Sequence, residues 1–268
     1  MLAGLKARVR RTRWPWAERP DCAYVISFPK SGRTWHKLMV GHYLAQLTGA
    51  PEKNAFKVAS LCRRAGLKPI EYSHNDTGFK DGLPPSSRLV ASPQLWQGRP
   101  VLFLVRNPRD VLVSAYHHAT TRATTRFHGT LSEFVRRPET GIAKVMKAYV
   151  SWNDRSGMAS ASLVHSYEEM HRDPAAVLTS SLRFFGLSEI DPRMVAAAVE
   201  FCRFDNMQRY ERLDMFGAKQ LRNASGSPTA AKVREGRVGS YQNALSASDL
   251  EFIDAYIAQS GDPFERLY

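Results

Sequence analysis

The stretch Cys22-Ala-Tyr-Val-Ile-Ser-Phe-Pro-Lys-Ser-Gly-Arg-Thr-Trp35 decides the fold of this 268-residue chain. Its first part, Cys22–Phe28, is a short β-prone apolar run that is typical of a buried parallel strand. From Thr34 to Thr48 the apolar residues instead recur at the spacing of one helical face, and Gly49 is placed to end that helix. A buried strand that turns directly into a helix is the first unit of an α/β fold.

The same pattern occurs twice more along the chain. Val101–Val105 is the second predicted strand and Leu163–Tyr167 the third. A cap residue, a proline and an acid in 107–110 predict a helix start after the second strand, and Asp173-Pro174 predicts another after the third. Three more helix starts follow from their capping residues: Asp191-Pro192, Thr130–Glu133 and Ser248–Glu251. We therefore predict a single α/β domain with a central parallel β-sheet flanked by helices.

Composition predicts one folded domain preceded by a basic arm. The chain is 43% hydrophobic and 24% charged, which excludes collagen-like, low-complexity and disordered classes. Residues 1–20 contain six Lys and Arg, one acid and no hydrophobic period, so we expect a basic N-terminal arm there and the folded domain at 21–268. Three scattered cysteines, Cys22, Cys62 and Cys202, match neither a zinc site nor a disulfide framework, and we expect them to be reduced residues in or near the core.

Location is predicted from apolar runs. The most continuous run, Val101–Val105, is far shorter than the roughly 18–20 residues that cross a bilayer, so we expect no transmembrane segment. Near the basic N-terminus, Trp14-Pro-Trp-Ala-Glu18 stands where a secretion signal would need a continuous apolar segment. These features predict a cytoplasmic protein.

The charge balance points to an anionic partner without identifying it. The 38 Lys and Arg exceed the 25 Asp and Glu, which gives a formal net charge of +13. Nucleic acid, a membrane surface, a polyanion and a small phosphorylated ligand would all fit such a charge. The choice between them depends on local motifs.

The turn between the first strand and the first helix predicts an anion site. A strand-to-helix turn directs backbone N–H groups and the positive end of the helix dipole at one point. Gly32 allows a close backbone approach, Lys30 supplies a positive charge, and the hydroxyls of Ser31 and Thr34 add donors. The turn is not a Walker A loop, because Lys30 precedes the glycine. A phosphate or sulfate is the expected ligand.

A second cationic position follows the second strand. Arg106 precedes the helix start, so its guanidinium can reach the crevice at the end of the sheet and bind a phosphate through two N–H groups. Ser114, a little over two helical turns later, can donate a hydroxyl to the same group. For Asp110 we favour helix capping and dipole stabilisation over a catalytic role, and for Arg109 a solvated or ion-paired surface position.

Together these motifs resemble the sulfotransferases that use 3′-phosphoadenosine 5′-phosphosulfate (PAPS), and their soluble, cytosolic-type branch most closely. Phe28–Trp35 is similar to the family's 5′-phosphosulfate loop, and Arg106–Ser114 to its 3′-phosphate motif. Arg234-Glu-Gly-Arg-Val-Gly-Ser-Tyr241 is similar to the late family element Arg-Lys-Gly-x-x-Gly-Asp-Trp. The resemblance runs from about Cys22 to Tyr256 and implies a P-loop nucleotide-kinase-like sulfotransferase fold.

The resemblance also implies a role for each matching residue. Those expected to hold the 5′-phosphosulfate are Lys30, Ser31, Gly32, Arg33, Thr34 and Trp35. Those expected around the 3′-phosphate are Arg106, Ser114, Arg234, Glu235 and Gly236, and those on the adenine side are Tyr167, Phe204 and Met207. His74 matches the family's histidine that takes the acceptor's proton, and Lys30 would also stabilise charge as the sulfuryl group leaves. An imidazole with a pKa near 6.5 suits that role at neutral pH.

The chain departs from the family pattern at several positions. Tyr72 replaces the lysine two residues before the histidine, Glu235 replaces the lysine of the late element, and Arg33 replaces a threonine. Segments implied to line the acceptor site are Tyr116–His118, Gly141–Trp152 and an insertion around Phe79–Gln97, with Phe79 and Trp96 as lid residues. His117 or His118 is the alternative base.

The sequence therefore predicts a sulfotransferase that moves a sulfuryl group from PAPS to a hydroxyl or amine of a small-molecule acceptor, with adenosine 3′,5′-bisphosphate (PAP) as product and without a metal. An ATP-dependent small-molecule kinase is the enzyme alternative, and it would need a magnesium carboxylate. A basic nucleic-acid-binding protein is the other alternative, although no aromatic-interleaved or helix-turn-helix pattern supports it. We expect no nucleic-acid partner.

Overall fold

The computed structural model describes residues 22–75, 96–121, 127–218, 221 and 231–268, and every structural statement below refers to these residues. The predicted arm at 1–20 lies outside them, so the domain boundaries stay a prediction. The strands are β1 (Ala23–Ser27), β2 (Ile70–Ser73), β3 (Pro100–Val105) and β4 (Ala161–Ser166). The helices are α1 (Arg33–Leu47), α2 (Val58–Arg64), α3 (Pro108–Thr121), α4 (Leu131–Arg136), α5 (Ile142–Arg155), α6 (Tyr167–Arg172), α7 (Pro174–Phe184), α8 (Pro192–Phe201), α9 (Phe204–Arg212) and α10 (Ala247–Ser260).

The four strands form one parallel sheet in the order β2-β1-β3-β4. Within it Val25 pairs with Tyr72 on one side and Leu102 on the other. The predicted α/β domain with a central parallel sheet is confirmed, and β1, β3 and β4 lie within a residue or two of their expected bounds. Because all four strands run the same way, their carboxyl ends lie along one edge of the sheet.

Strand β2 is absent from the sequence prediction. Ile70 is its only fully buried residue, and the other three are partly exposed. A strand at the end of a sheet has a neighbour on one side only, so it does not show the continuous apolar run of β1, whose five residues are all buried. β2 ends directly before His74, one of the predicted site residues.

Most of the predicted helix starts are confirmed. The carboxylate of Asp173 accepts from the Ala176 N–H at 2.9 Å, and Thr130 with Glu133 forms a complete capping box. The predicted cap at Ser248 is wrong, since Ser246 caps α10 by accepting from the Asp249 N–H at 3.2 Å. The acid three residues after the cap is therefore Asp249, whose Oδ2 accepts from the Ser246 hydroxyl at 2.7 Å, and not Glu251.

The core has two layers, one on each face of the sheet. Alternate strand residues point to opposite faces. Val25 packs with α1, α2, α7 and α8, whereas Tyr24 packs with α3, α5 and α10.

The three cysteines are buried and form no disulfide, as predicted. Trp96 is fully buried and packs edge-on against Phe103, so its predicted place in a lid is wrong. Among the described residues, no helix is long and apolar enough to cross a membrane.

Candidate functional site

Three of the predicted site residues stand directly after strands of the sheet. His74 follows β2, Arg106 follows β3 and Tyr167 follows β4, while the 28–32 turn follows β1. The carboxyl ends of parallel strands lie at one edge of a sheet, and open α/β sheets bind their ligands outside that edge. The parallel topology therefore brings these four positions to the same edge, although 93 positions separate His74 from Tyr167 in the chain.

The turn after β1 has an unusual backbone that leaves the start of α1 without a side-chain cap. Lys30 and Gly32 both adopt left-handed conformations, with φ of 78° and 82°. Gly32 is the N-cap residue of α1, and no side-chain hydrogen bond caps that end. The first N–H groups of a 15-residue helix therefore point toward the turn, where they can bind an anion.

Close packing joins the turn to the residue after β4. A Cβ atom at Gly32 would lie 2.6 Å from Cε of Met170 and 2.7 Å from Cδ2 of Tyr167. Only a glycine fits between the turn and these side chains. Tyr167, which the family resemblance assigns to the adenine side, is thus held against the 28–32 turn.

Arg106 connects three of the predicted segments. Its Nη1 donates to the Lys30 carbonyl at 3.3 Å and its Nη2 to the Arg237 carbonyl at 2.9 Å. Its guanidinium carbon lies 4.1 Å from the centre of the Tyr167 ring. The Tyr149 hydroxyl fixes the backbone of Arg106 by accepting from its N–H at 3.0 Å and donating to its carbonyl at 2.8 Å. The first turn, β3, α6 and the late motif therefore meet at one side chain.

The polar atoms at this edge fit an anionic nucleotide. Nε of Arg106 and Nε1 of Trp35 are buried, and neither has a hydrogen-bond partner within the part of the chain that the structure describes. Buried donors of this kind normally have partners, so an orphaned pair beside an uncapped helix start indicates a ligand that accepts hydrogen bonds. Ser114 lies half-buried on α3, one helix turn beyond Asp110.

The late motif lies against α9. A Cβ at Gly236, where φ is 59°, would lie 2.4 Å from Cδ2 of Phe204. Met207, one turn further along α9, is buried. Arg234 forms an ion pair with Glu235 at 2.8 Å, so the acid that replaces the family's lysine partly neutralises the arginine beside it. Phe204 and Gly236, predicted for the adenine and the 3′-phosphate, are direct neighbours.

Two buried carboxylates hold the late segment, which we define as residues 232–241. Asp110 accepts from the N–H of Gly239 at 2.8 Å, the N–H of Tyr241 at 3.0 Å and the hydroxyl of Ser240 at 3.0 Å. The capping part of the expectation for Asp110 is thereby corrected, since the predicted cap Asn107 accepts from the Arg109 N–H at 3.0 Å, whereas the place of Asp110 in the first turn of α3 suits the expected dipole stabilisation.

Glu211 is the second carboxylate, and the sequence prediction does not include it. It accepts from the N–H groups of Lys232 at 2.7 Å and Val233 at 2.9 Å.

The expected ion-paired surface position of Arg109 is confirmed, since its guanidinium pairs with the carboxylate of Asp254 at 2.5 Å.

His74 has a defined tautomer. Its Nδ1 lies 2.8 Å from the backbone carbonyl of Ser27, and a carbonyl only accepts, so Nδ1 carries the hydrogen. The lone pair of the neutral ring is then on Nε2. Burial, followed by the charge of Arg33, lowers the pKa of His74 to about 3, with smaller contributions from Lys232 and Lys30. The imidazole is therefore neutral at pH 7.

Tyr72 contributes to a buried network and brings no charge to the site. Its hydroxyl lies 3.2 Å from Nδ1 of His36, whose Nε2 lies 3.0 Å from the hydroxyl of Ser181. Nζ of Lys37 is 5.2 Å from the centre of the Tyr72 ring. Burial lowers the pKa of Arg33 to about 10, so this guanidinium stays charged at neutral pH on the side of the site where Tyr72 has no charge.

The predicted acceptor-site segments are described only in part. Phe79 lies outside the described residues. On α5, Tyr149 and Trp152 are fully buried in the core, and on α3 the Tyr116 hydroxyl donates to the Gly129 carbonyl at 3.0 Å. Among the described residues, no group of three or more His, Cys, Asp and Glu side chains could hold a metal ion.

Comparison with known proteins identifies the class of this site. The sulfotransferase domain model matches residues 20–264, and the chain belongs to the sulfotransferase family. It is 27% identical to human sulfotransferase 4A1 over 256 residues, which covers 90% of this chain and 80% of that protein. It is 22% identical to flavonol 3-sulfotransferase of Flaveria bidentis, covering 89% of this chain and 81% of that one.

Solved structures share the fold. Mouse sulfotransferase SULT7A1 complexed with PAP matches with a TM-score of 0.63 and 18% identity, covering 92% of this chain and 86% of that one. Retinol dehydratase in complex with androsterone and the inactive cofactor PAP matches with a TM-score of 0.57 and 17% identity, covering 90% and 81%. The predicted sulfotransferase fold is thereby confirmed.

Proposed function

We propose that this sulfotransferase moves a sulfuryl group from PAPS to a hydroxyl or amine of a small-molecule acceptor and releases PAP. The observation that carries the proposal is the position of Arg106, which contacts the first turn, Tyr167 and the late segment at the carboxyl edge of the sheet. The fold neighbours that contain PAP and the small-molecule names of relatives such as flavonol 3-sulfotransferase support it.

Each part of the donor has residues to hold it in this proposal. The 5′-phosphosulfate binds the turn and helix start formed by Lys30, Ser31, Gly32, Arg33, Thr34 and Trp35. The 3′-phosphate binds Arg106 and Ser114 together with Arg234 and Gly236, and Glu235 orients Arg234 through their 2.8 Å ion pair. Adenine lies among Tyr167, Phe204 and Met207.

His74 acts as the base. When bound, PAPS supplies a sulfuryl group whose S–O bond to the 5′-phosphate can break. The acceptor oxygen or nitrogen forms a new bond to sulfur, the electron pair of the broken bond goes to the phosphate oxygen, and the acceptor's proton goes to Nε2 of His74. Lys30, Arg33 and the start of α1 stabilise the negative charge that develops on the departing phosphate.

The charges around His74 suit a base that becomes stronger when the donor is bound. Arg33, Lys232 and Lys30 all lower the pKa of His74 in the free protein. An anionic nucleotide offsets these positive charges and so raises the pKa of His74 above about 3, while the larger contribution, burial, stays. Proton transfer to Nε2 then becomes more favourable in the complex than in the free protein.

Calorimetric titration with PAP, ATP and a random oligonucleotide tests the donor. We expect micromolar binding of PAP alone and a loss of at least about tenfold in Arg106→Ala, since charge-assisted hydrogen bonds contribute about 1.5–3 kcal/mol. Arg99→Ala is a matched control, because Arg99 also stacks on a tyrosine, Tyr24, but lies before β3 rather than after it.

Two other outcomes of this titration would contradict the proposal. Preferred binding of ATP would favour the small-molecule kinase, and oligonucleotide binding with a steep salt dependence would favour the nucleic-acid-binding protein. The cytoplasmic location and the absence of a metal stay predictions.

The base is tested by turnover. His74→Gln should lower kcat by at least about a hundredfold, as expected for loss of a general base, and leave the PAP affinity within about twofold. His128→Gln, at an exposed histidine, is the control. Full turnover in His74→Gln would move the base to another residue, with His117 and His118 the first to test.

A further inference from the structure

We propose that Asp110 and Glu211 are positioning residues of the donor site: their carboxylates fix the two ends of the late segment, and Asp110 at the same time orients Arg106. The proposal rests on the donor site described above and adds two residues that do not touch the nucleotide themselves. We call the two side chains the anchor carboxylates.

The first anchor, Asp110, is fully buried and uses both of its oxygens. Oδ1 accepts from Ser240 Oγ and the Tyr241 N–H, and Oδ2 accepts from the Gly239 N–H. Hydrogen bonds to an ionised carboxylate are stronger than those between neutral groups. Asp110 lies on the first turn of α3, so the end of the late segment is tied to the helix that follows β3.

The second anchor, Glu211, holds the beginning of the segment in the same manner. It lies on α9, is 4% exposed, and accepts from two successive backbone N–H groups, those of Lys232 and Val233, one on each carboxylate oxygen. α9 also carries Phe204, against which Gly236 packs. The segment that contains Arg234 and Gly236 is therefore fixed on both sides of these two residues.

Asp110 links this arrangement to the predicted 3′-phosphate site. Its Oδ2 lies 3.3 Å from Nη2 of Arg106, and the same Nη2 donates to the Arg237 carbonyl at 2.9 Å. Arg106, Asp110 and the late segment thus form a closed set of contacts. Removing the Asp110 carboxylate would release the segment and one side of the Arg106 guanidinium together.

Four variants test the anchors. Asp110→Asn and Glu211→Gln remove the charge with little change of shape, and Asp110→Ala removes the acceptors as well. Asp249→Asn is the matched control, because Asp249 is also 4% exposed and accepts from Ser132 and Ser246, but joins α4 to α10, which carry no predicted donor residue.

The first measurement is nucleotide selectivity. We expect Asp110→Asn and Glu211→Gln to weaken PAP binding at least about tenfold, and to change the affinity for adenosine 5′-monophosphate, which lacks the 3′-phosphate, less than about twofold. In turnover, KM for the donor should rise while kcat changes little, as expected when ground-state and transition-state binding fall together. Asp249→Asn should lower the thermal midpoint and leave the ratio of the two affinities unchanged.

The second measurement is amide hydrogen exchange, which reports on each anchor separately. Asp110→Asn should speed exchange at 239–241 and not at 232–233, and Glu211→Gln should do the reverse. Wild-type protein that fails to bind PAP would overturn the proposed function, while the exchange measurement would still test the anchors. Wild-type protein that binds PAP, with variants that keep both its affinity and its selectivity, would overturn the positioning role alone.

Discussion

The first turn, residues 28–32, and the late segment, residues 232–241, are proposed to bind the same nucleotide but are fixed in different ways. The first turn lies between β1, whose residues are all buried in the middle of the sheet, and the 15-residue helix α1. The late segment has no β-strand or α-helix, and only a short 3₁₀ helix begins at its end, at Ser240. Four of its backbone N–H groups donate instead to the side chains of Asp110 and Glu211.

This difference teaches where the site is robust and where it is sensitive. The position of the first turn follows from the backbone ladders of the sheet, so it changes only when the fold changes. The position of the late segment depends on hydrogen bonds to a few side chains, those of Asp110, Glu211, Arg106 and Gln208, so a single substitution can displace it while the core stays intact. Damage to the first turn should therefore appear in stability, and damage to the late segment in nucleotide binding.

The largest expected effect comes from Gly32→Ala in the first turn. The left-handed conformation, with φ of 82°, costs about 1–2 kcal/mol for a residue with a Cβ. The added atom would also lie 2.6 Å from Met170 and 2.7 Å from Tyr167, and such crowding costs about 1–3 kcal/mol more. We expect the free energy of unfolding, measured by urea titration, to fall by about 2–5 kcal/mol.

Gly49→Ala separates the two causes. Gly49 has a φ of 62° and no atom within 4 Å of an added Cβ, so it should lose only the conformational part, about 1–2 kcal/mol. Equal losses in the two variants would mean that Tyr167 and Met170 do not pack tightly against the turn. The first turn would then not be held more rigidly than the late segment.

Sequence reasoning predicts the first turn and the position of Arg106 well, because the signals there are local. A buried apolar run, a turn and a helix start are contiguous, so the positions of Lys30 and Arg106 after their strands can be inferred without distant contacts. His74 came from the family resemblance, because β2 is too polar to be recognised as a strand. The insertion proposed around Phe79–Gln97 lies mostly outside the described residues, and its Trp96 belongs to the core.

The family resemblance locates the late segment, but the residues that hold it could not be predicted, because their contacts join distant parts of the chain. The hydrogen bond from Gly239 to Asp110 spans 129 positions. An acid on the first turn of a helix already has a local explanation in the helix dipole, and this explanation hid the true partners of Asp110. Glu211 follows Met207 by four residues on α9 and so shares its buried face, but no local pattern shows that its partners are the N–H groups of Lys232 and Val233.

Acid should destabilise the protein through its buried histidines. Burial lowers the pKa of His36 to about 3, against about 6.5 in the unfolded chain. Between these values the unfolded state binds the proton and the folded state does not, so stability is complete above about pH 6.5 and falls as the pH drops toward 3. We expect His36 to contribute about 1.4 kcal/mol per pH unit in that range, seen as a shallower pH slope of the unfolding free energy in His36→Gln. An unchanged pH slope of the unfolding free energy would contradict the burial of His36 in α1, the helix that follows the first turn.

The pKa of His74 depends on both regions: it is lowered by Arg33, at the start of α1 after the first turn, and by Lys232 in the late segment. In an NMR titration of the imidazole, Arg33→Gln should raise the pKa more than Lys232→Gln, because Arg33 is the larger cause. An unchanged pKa of His74 in Lys232→Gln would mean that the late segment does not lie beside His74 in solution.

The smallest expected effect comes from Gly236→Ala in the late segment. The added Cβ would lie 2.4 Å from the Phe204 ring, at a φ of 59°, so the local clash is as severe as at Gly32. Here the segment can move away without breaking a sheet ladder, because side chains hold it. We expect the free energy of unfolding to fall by the conformational part alone, about 1–2 kcal/mol, and the dissociation constant of PAP to rise about threefold to tenfold. Gly217→Ala, with a φ of 57° and no atom within 4 Å, is the control and should leave PAP binding unchanged. A loss of unfolding free energy as large as that of Gly32→Ala, with PAP binding intact, would contradict this expectation. It would show that the late segment is held in the fold as firmly as the first turn.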